Sequence, residues 1–161
     1  MQIARDSSIP ADFKALRLSS PSFQEGGAIP VKYTCDGENI SPPLDIAGIP
    51  AEALSLAIIV EDPDAPGGTW NHWLAWNLPV THHLRENRIH GEEGLNSFQQ
   101  VGYGGPCPPP GKPHRYQFKV YALDQVLDLK PRIGTVELER AMAGHILAYG
   151  ELMGLYQRKS K

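Results

Sequence analysis

Three short stretches of this chain carry side chains that bind anions, hold metals or move protons: Asp62 and Asp64 in DPDAP, His72 in WNHW, and His114 with Tyr116 in HRY. Carboxylate oxygen and imidazole nitrogen are ordinary ligands of divalent metals, and imidazole N–H and phenol O–H groups donate to phosphate oxygens. Taken alone, Asp-Pro-Asp is common turn chemistry, and one His or Tyr at a strand end is usually a boundary residue. Their places in the hydrophobic pattern raise these residues above that reading.

Side chains alternate across a strand, so positions i, i+2 and i+4 share a face. From 54 to 62 the even positions read Leu54, Leu56, Ile58, Val60 and then Asp62, an apolar row that ends in a carboxylate. From 72 to 78 the row is His72, Leu74, Trp76, Leu78, which begins with an imidazole. From 114 to 122 it is His114, Tyr116, Phe118, Val120, Ala122, set against an outer row of Arg115, Gln117 and Lys119. If the first two strands pair as antiparallel neighbours, Asp62 and His72 share one end of the sheet. His114 and Tyr116 join them if the Pro-rich loop 106–113 lies at that end. Pro63 and Pro66 then stiffen the DPDAP loop, which lowers the entropic cost of capturing a ligand there.

The elements that must position these groups are mostly strands. Period-2 alternation bounded by Gly, Pro and Asp predicts strands at 14–19, 29–33, 54–62, 72–78, 115–123 and 151–157. One helix is predicted over 135–148, with Thr135 as its cap, Glu137 and Glu139 in its first turn, a stripe of Leu138, Met142 and Ile146, and Gly150 ending it. His145 falls on that helix as a packing or capping residue, while His82 and His83 fall in a solvated turn. Regular helices do not separate the strands, so the expected fold is mainly β: a single-domain antiparallel β-sandwich over 1–161, with one helix in the C-terminal region and a final strand.

Composition narrows the function classes. The 161 residues suffice for one domain with a real core, and 15 Pro with 16 Gly imply many turns. A net charge of -3 argues against a nucleic-acid binder, which needs clustered Lys and Arg to neutralise phosphates. The N-terminal 20 residues contain no apolar run of signal-peptide length, and no later window approaches a membrane span, so the expected location is cytoplasmic. The two cysteines, Cys35 and Cys107, are too few for a disulfide scaffold and too far apart for a CxxC motif.

The stretches YTCDGENISPPL, SLAIIVEDPDAPGGTWNHWLAWNLP, GYGGPCPPPGKPHRYQFKVYALD and AMAGHILAYGELMGLYQR together resemble the phosphatidylethanolamine-binding protein family, in its bacterial and archaeal Raf-kinase-inhibitor-like branch. The resemblance runs over roughly residues 13–158. It implies a β-sandwich with a small pocket at one end for phosphate-like anions, such as phospholipid headgroups or nucleotide phosphates. Carried over, the family's pocket falls on Asp62, Pro63, Asp64 and Pro66, on Trp70 and His72, and on Gly105, Pro106, His114 and Tyr116. Cys35 and Cys107 lie in two of the matching segments. If those segments are adjacent, the cysteines can form a disulfide tying the Pro-rich loop to the sandwich, and a reducing cytoplasm opposes it. Family members with long C-terminal helices use them in regulatory contacts. The resemblance carries neither that regulation nor their kinase partners to this chain.

The function expected is non-catalytic binding of a small anionic or phosphorylated ligand, with no cofactor and no bound metal. A protein partner and a homodimer are left open. An adjacent carboxylate can orient a His and favour its protonated form. If His72 and His114 both donate to an anion, affinity weakens as pH rises through their titration range. Two alternatives belong to other classes. One is a hydrolase, with Asp62, Asp64, His72 and His114 around a divalent metal, or with Cys107 activated by His114. No HExxH or GxSxG spacing supports it. The other is a protease or kinase inhibitor acting through surface loops, for which no extended hydrophobic loop is evident.

Overall fold

The computed structural model describes residues 9–10, 13–88 and 91–159, so the N-terminal stretch read above lies partly outside it. The chain builds β1 (Lys14–Ala15), β2 (Arg17–Ser19), β3 (Leu44–Ala47), β4 (Ser55–Asp62), β5 (Trp70–Leu78), β6 (His83–Leu84), β7 (Glu92–Glu93), β8 (His114–Leu123), α1 (Thr135–Met142) and β9 (Ile146–Tyr156). A six-stranded sheet has the order β1-β9-β8-β4-β5-β7, and a three-stranded sheet the order β2-β3-β6. Every pairing is antiparallel except β1 with β9.

Two clusters fill the molecule, one on each face of the large sheet. Between the sheets, Leu44, Ile46 and Leu84 pack on Leu56, Ile58, Val60, Phe118 and Val120. On the opposite face, Leu138 and Met142 of α1 cover Ala57, Ile59, Leu74, Trp76, Tyr121 and Leu123. The central strands are therefore apolar on both faces, as sheets covered on both sides must be. This corrects the expected outer row of β8: Gln117 is buried, and Lys119 is paired with Glu61 at 2.6 Å.

Three expected elements change. The span 14–19 divides at Leu16, β1 entering one sheet and β2 the other. Residues 31–33 form a single 3-10 turn instead of a strand, with Val31 exposed and Tyr33 buried. The helix stops at Met142, six residues short of its expected end, because Gly144 at φ +82° turns the chain in a conformation that suits glycine. Its N-cap is Gly134, and the Thr135 hydroxyl instead accepts from Asn71 Nδ2 at 2.8 Å. His145 leaves the helix and bonds Asp124 at 2.9 Å in an exposed turn.

Gly150, expected to end the helix, lies within β9 opposite Val120. A Cβ there would stand 2.5 Å from the backbone oxygen of Leu16, where the chain crosses between sheets. Gly150→Ala is therefore expected to lower stability by about 1–3 kcal/mol, the usual cost of overpacking a closed site. Urea denaturation measures it, and an unchanged midpoint would contradict the close approach.

Candidate functional site

The last residue of β4, Asp62, is 3% exposed and has both oxygens engaged. Oδ1 accepts the Asp64 N–H at 2.7 Å, and Oδ2 lies 2.6 Å from His114 Nδ1 at the start of β8. Pro63 has no N–H to offer, so the Asp64 amide is the first that can reach back, and the segment closes as an Asx turn. Turn chemistry and imidazole orientation are thus done by one carboxylate.

Asp64 faces elsewhere. Its oxygens accept from Arg115 Nη2 at 2.8 Å, Nε at 3.0 Å and the Arg115 backbone N–H at 2.9 Å. The Arg115 side chain is the main reason its carboxyl sits below the ordinary range. A carboxyl lowered on folding adds stability above its ordinary range and loses it as pH falls through the lowered value. Both partners are partly exposed, so solvent screening keeps that contribution small.

His72 reaches the site through a break in the alternation. Val60 pairs Trp73 and Glu61 pairs Asn71, which leaves His72 as an extra residue in β5, a bulge. A second shift, between Leu56 with Leu78 and Ile58 with Ala75, leaves another extra residue near Asn77, whose φ is +55°. The row His72, Leu74, Trp76, Leu78 therefore does not share one face: Leu74 and Trp76 pack under α1, while Leu78 joins the inter-sheet core. Leu54, expected to open the β4 row, precedes the strand and is 63% exposed.

The buried His72 ring bonds Gly104 O through Nδ1 at 2.6 Å. A carbonyl only accepts, so Nδ1 carries the proton and Nε2 of the neutral ring is an acceptor. Burial pushes the imidazole pKa down, against the Gly104 carbonyl and the Asp62 charge. The unfolded chain then takes up the proton first, so His72 lowers stability as pH falls below the ordinary imidazole range.

Tyr116 lies between the imidazoles, its ring centroid 5.3 Å from His72 edge-on and 6.4 Å from His114 in a stacked arrangement. The residue is 1% exposed, and its hydroxyl is buried with no hydrogen-bond partner. Burial first, and then the charge and accepting oxygen of the nearby Asp62 carboxylate, push the phenol far above its ordinary range, so the group keeps its proton, although the two are not in good hydrogen-bonding geometry.

Asp62, His72, His114 and Tyr116 line a cleft of about 200 Å³ with Ala65, Pro66, Trp70, Phe98, Cys107, Pro108 and Pro109. Trp70 and Phe98 form an edge-to-face pair 5.5 Å apart at the mouth, both partly exposed. Of the residues named from sequence, Pro63, Asp64, Gly105 and Pro106 stand behind the lining. Gly105 donates to Asn39 Oδ1 at 2.8 Å, and a Cβ on it would meet Tyr33 O at 2.3 Å. Pro106 O accepts the Cys35 N–H at 3.1 Å, beside a Cys35–Cys107 disulfide with Cα atoms 5.4 Å apart. Sequence reasoning missed Phe98, which sits in a polar loop without periodicity, and Arg115 as the partner of Asp64.

The four residues of the metal alternative do not converge, because Asp64 is held by Arg115 and both Asp62 oxygens are engaged. Among the described residues, no group of three or more His, Cys, Asp or Glu is placed to hold a metal. Cys107 is in the disulfide and offers no thiolate for the nucleophilic alternative. No helix among the described residues is long and apolar enough to cross a membrane.

A two-sheet β-sandwich with a small polar-floored cleft at one end defines the class, and comparison with known proteins gives the family. The phosphatidylethanolamine-binding protein family profile matches residues 19–157, and the chain belongs to that family. A UPF0098 protein of Pyrococcus horikoshii is 50% identical over 155 residues, covering 90% of this chain and 78% of the relative. Another from Methanothermobacter thermautotrophicus is 46% identical, covering 89% and 99%. Among solved structures, a putative phosphatidylethanolamine-binding protein homologue from Chlamydia trachomatis superposes with TM-score 0.86 at 45% identity, covering 91% of this chain and 99% of its own. YbcL of E. coli, described as a new member of the mammalian family, gives 0.82 at 30% identity, covering 89% and 99%.

Proposed function

We propose that this protein binds a small oxyanion of the phosphate type in the cleft formed by Asp62, His72, His114 and Tyr116, and does not turn it over. The observation that carries the reading is the Tyr116 hydroxyl, a buried donor with no partner. Such a group costs about 1–3 kcal/mol unless something accepts from it. The cleft volume of about 200 Å³ suits a headgroup-sized anion and is below the range of drug-sized ligand sites. Family membership supports ligand binding in general. Binding without turnover is supported by the state of the catalytic candidates read from the sequence: Cys107 is oxidised, and Asp62 is engaged by its turn and by His114.

Calorimetric titration with inorganic phosphate and phosphoethanolamine tests the proposal, with NMR on labelled protein to place the site. One-to-one binding that shifts the His72, His114 and Tyr116 resonances, without release of phosphate from the ester, is the expected result. Absence of binding at millimolar ligand, or shifts confined to another surface, would overturn it.

A further inference from the structure

The donors and acceptors of the cleft are unequal in a way that narrows the ligand beyond "small oxyanion". Tyr116 O–H has no acceptor in good hydrogen-bonding geometry, the Asp62 carboxylate being its nearest charged neighbour, and His114, with Nδ1 on Asp62, offers its second nitrogen. His72 differs, because its Nδ1 proton is committed to Gly104 O and the nitrogen left for a ligand is an acceptor lone pair. No Lys or Arg lines the cleft, and its one carboxylate, Asp62, is already paired with His114. An oxyanion without a proton therefore has little net charge to draw it in. It must also set an oxygen lone pair against that of His72.

We propose that the cleft selects oxyanions that carry an O–H of their own, donating it to His72 while accepting from Tyr116. The class includes inorganic phosphate and the singly ionised form of a phosphate monoester. It excludes sulfate and the phosphodiester of an intact phospholipid, which have no proton to give near neutral pH. The inference rests on the proposed anion-binding role and names its ligand class. The groups facing His72 fit it: Asp62 from β4, His114 and Tyr116 from β8, and from the loops Phe98 and the Gly104 and Gly105 backbone, so among the described residues no Lys or Arg competes for the lone pair. Burial of the ring also works against the alternative, in which His72 takes up a proton to receive a bare anion.

The test compares tetrahedral ions of similar size at pH 7.5 by calorimetry: phosphate and arsenate, which keep an O–H, against sulfate and selenate, which do not. Methylphosphonate against methanesulfonate repeats the comparison with the charge better matched, and phosphoethanolamine against glycerophosphoethanolamine, titrated at about pH 5.5 where the monoester keeps its second proton, separates monoester from diester. The protonated member of each pair is expected to bind at least about tenfold tighter, the penalty for leaving a buried acceptor unpaired. In His72→Gln, whose amide can turn either N–H or C=O to the ligand, the phosphate-to-sulfate ratio is expected to fall to within about threefold. If that variant does not fold, the wild-type pairs still decide. Sulfate binding as tightly as phosphate, a diester equal to its monoester, or an unchanged ratio in His72→Gln would each overturn the selectivity while leaving anion binding in place. Failure of all the ions to bind would remove both.

Discussion

Replacing Cys35 and Cys107 together with serine is expected to lower stability by about 4 kcal/mol, the chain-entropy value for a closed loop of this length. The two are 72 residues apart in sequence, so the bond closes a loop of nearly half the chain. Its removal acts mainly by freeing the unfolded ensemble. The native state also loses a covalent tie, because Cys107, Pro108 and Pro109 form one wall of the cleft and hydrogen bonds alone, such as Cys35 N–H to Pro106 O and Gly105 N–H to Asn39 Oδ1, then hold that loop. Urea unfolding of wild type in oxidising and reducing buffer, alongside the double variant, measures the effect. Reduced wild type and the variant should coincide, both well below oxidised wild type, with phosphate affinity falling in parallel. A double variant within about 1 kcal/mol of oxidised protein would show that the bond adds no stability. In a reducing compartment the lower of the two stabilities is the relevant one.

What could be read from the residues alone depended on whether alternation ran unbroken. It does in β8, where His114, Tyr116, Phe118 and Val120 do share a face, and in β4 from Leu56 to Asp62. Those two strands already place an acid and an imidazole at one end of the sandwich. β5 breaks the count twice, and no single residue announces a bulge: His72 and Asn77 are ordinary members of an alternating string until cross-strand pairing is known. His72 reaches the cleft through the bulge, not through the row His72, Leu74, Trp76, Leu78 that the alternation predicts.

The C-terminal helix exists where expected but ends early, for a related reason. Leu138, Met142 and Ile146 fit a helical stripe, yet Ile146, Ala148, Gly150, Leu152, Gly154 and Tyr156 fit a strand equally well, and all six are buried in β9. The overlap is settled by Gly144 and by the approach of Leu16 to Gly150, a contact from the far end of the chain. The small strands β6 and β7 have two residues each, below the length at which periodicity can speak, and the four residues of β3 stand at its lower limit. Half of the aromatic lip escapes the sequence: Trp70, the first residue of β5, is named through the family resemblance, whereas Phe98 comes from a loop well beyond it that has no periodicity.

The cleft residue whose loss is expected to matter most is His114. Phosphate affinity should fall by about 1.5–3 kcal/mol in His114→Ala, the value of a hydrogen bond to a charged partner. The structure adds a second consequence that position at the edge of the core would not suggest. Asp62 is 3% exposed, and His114 is the only partner of its Oδ2 among the described hydrogen bonds. Truncation leaves a buried carboxylate oxygen facing a void, which should lower stability as well, by about 1–3 kcal/mol. The two losses separate in a double variant. Asp62→Asn combined with His114→Ala removes the uncompensated charge while the Asn oxygen can still accept the Asp64 N–H, so stability should recover in part while affinity stays low. A cycle of wild type, the two single variants and the double variant, read by urea unfolding and by phosphate titration, isolates the Asp62–His114 coupling in each property. Coupling in stability with unchanged affinity would make the pair structural only. Loss of affinity in His114→Ala that the second substitution does not restore would put the imidazole itself in contact with the anion.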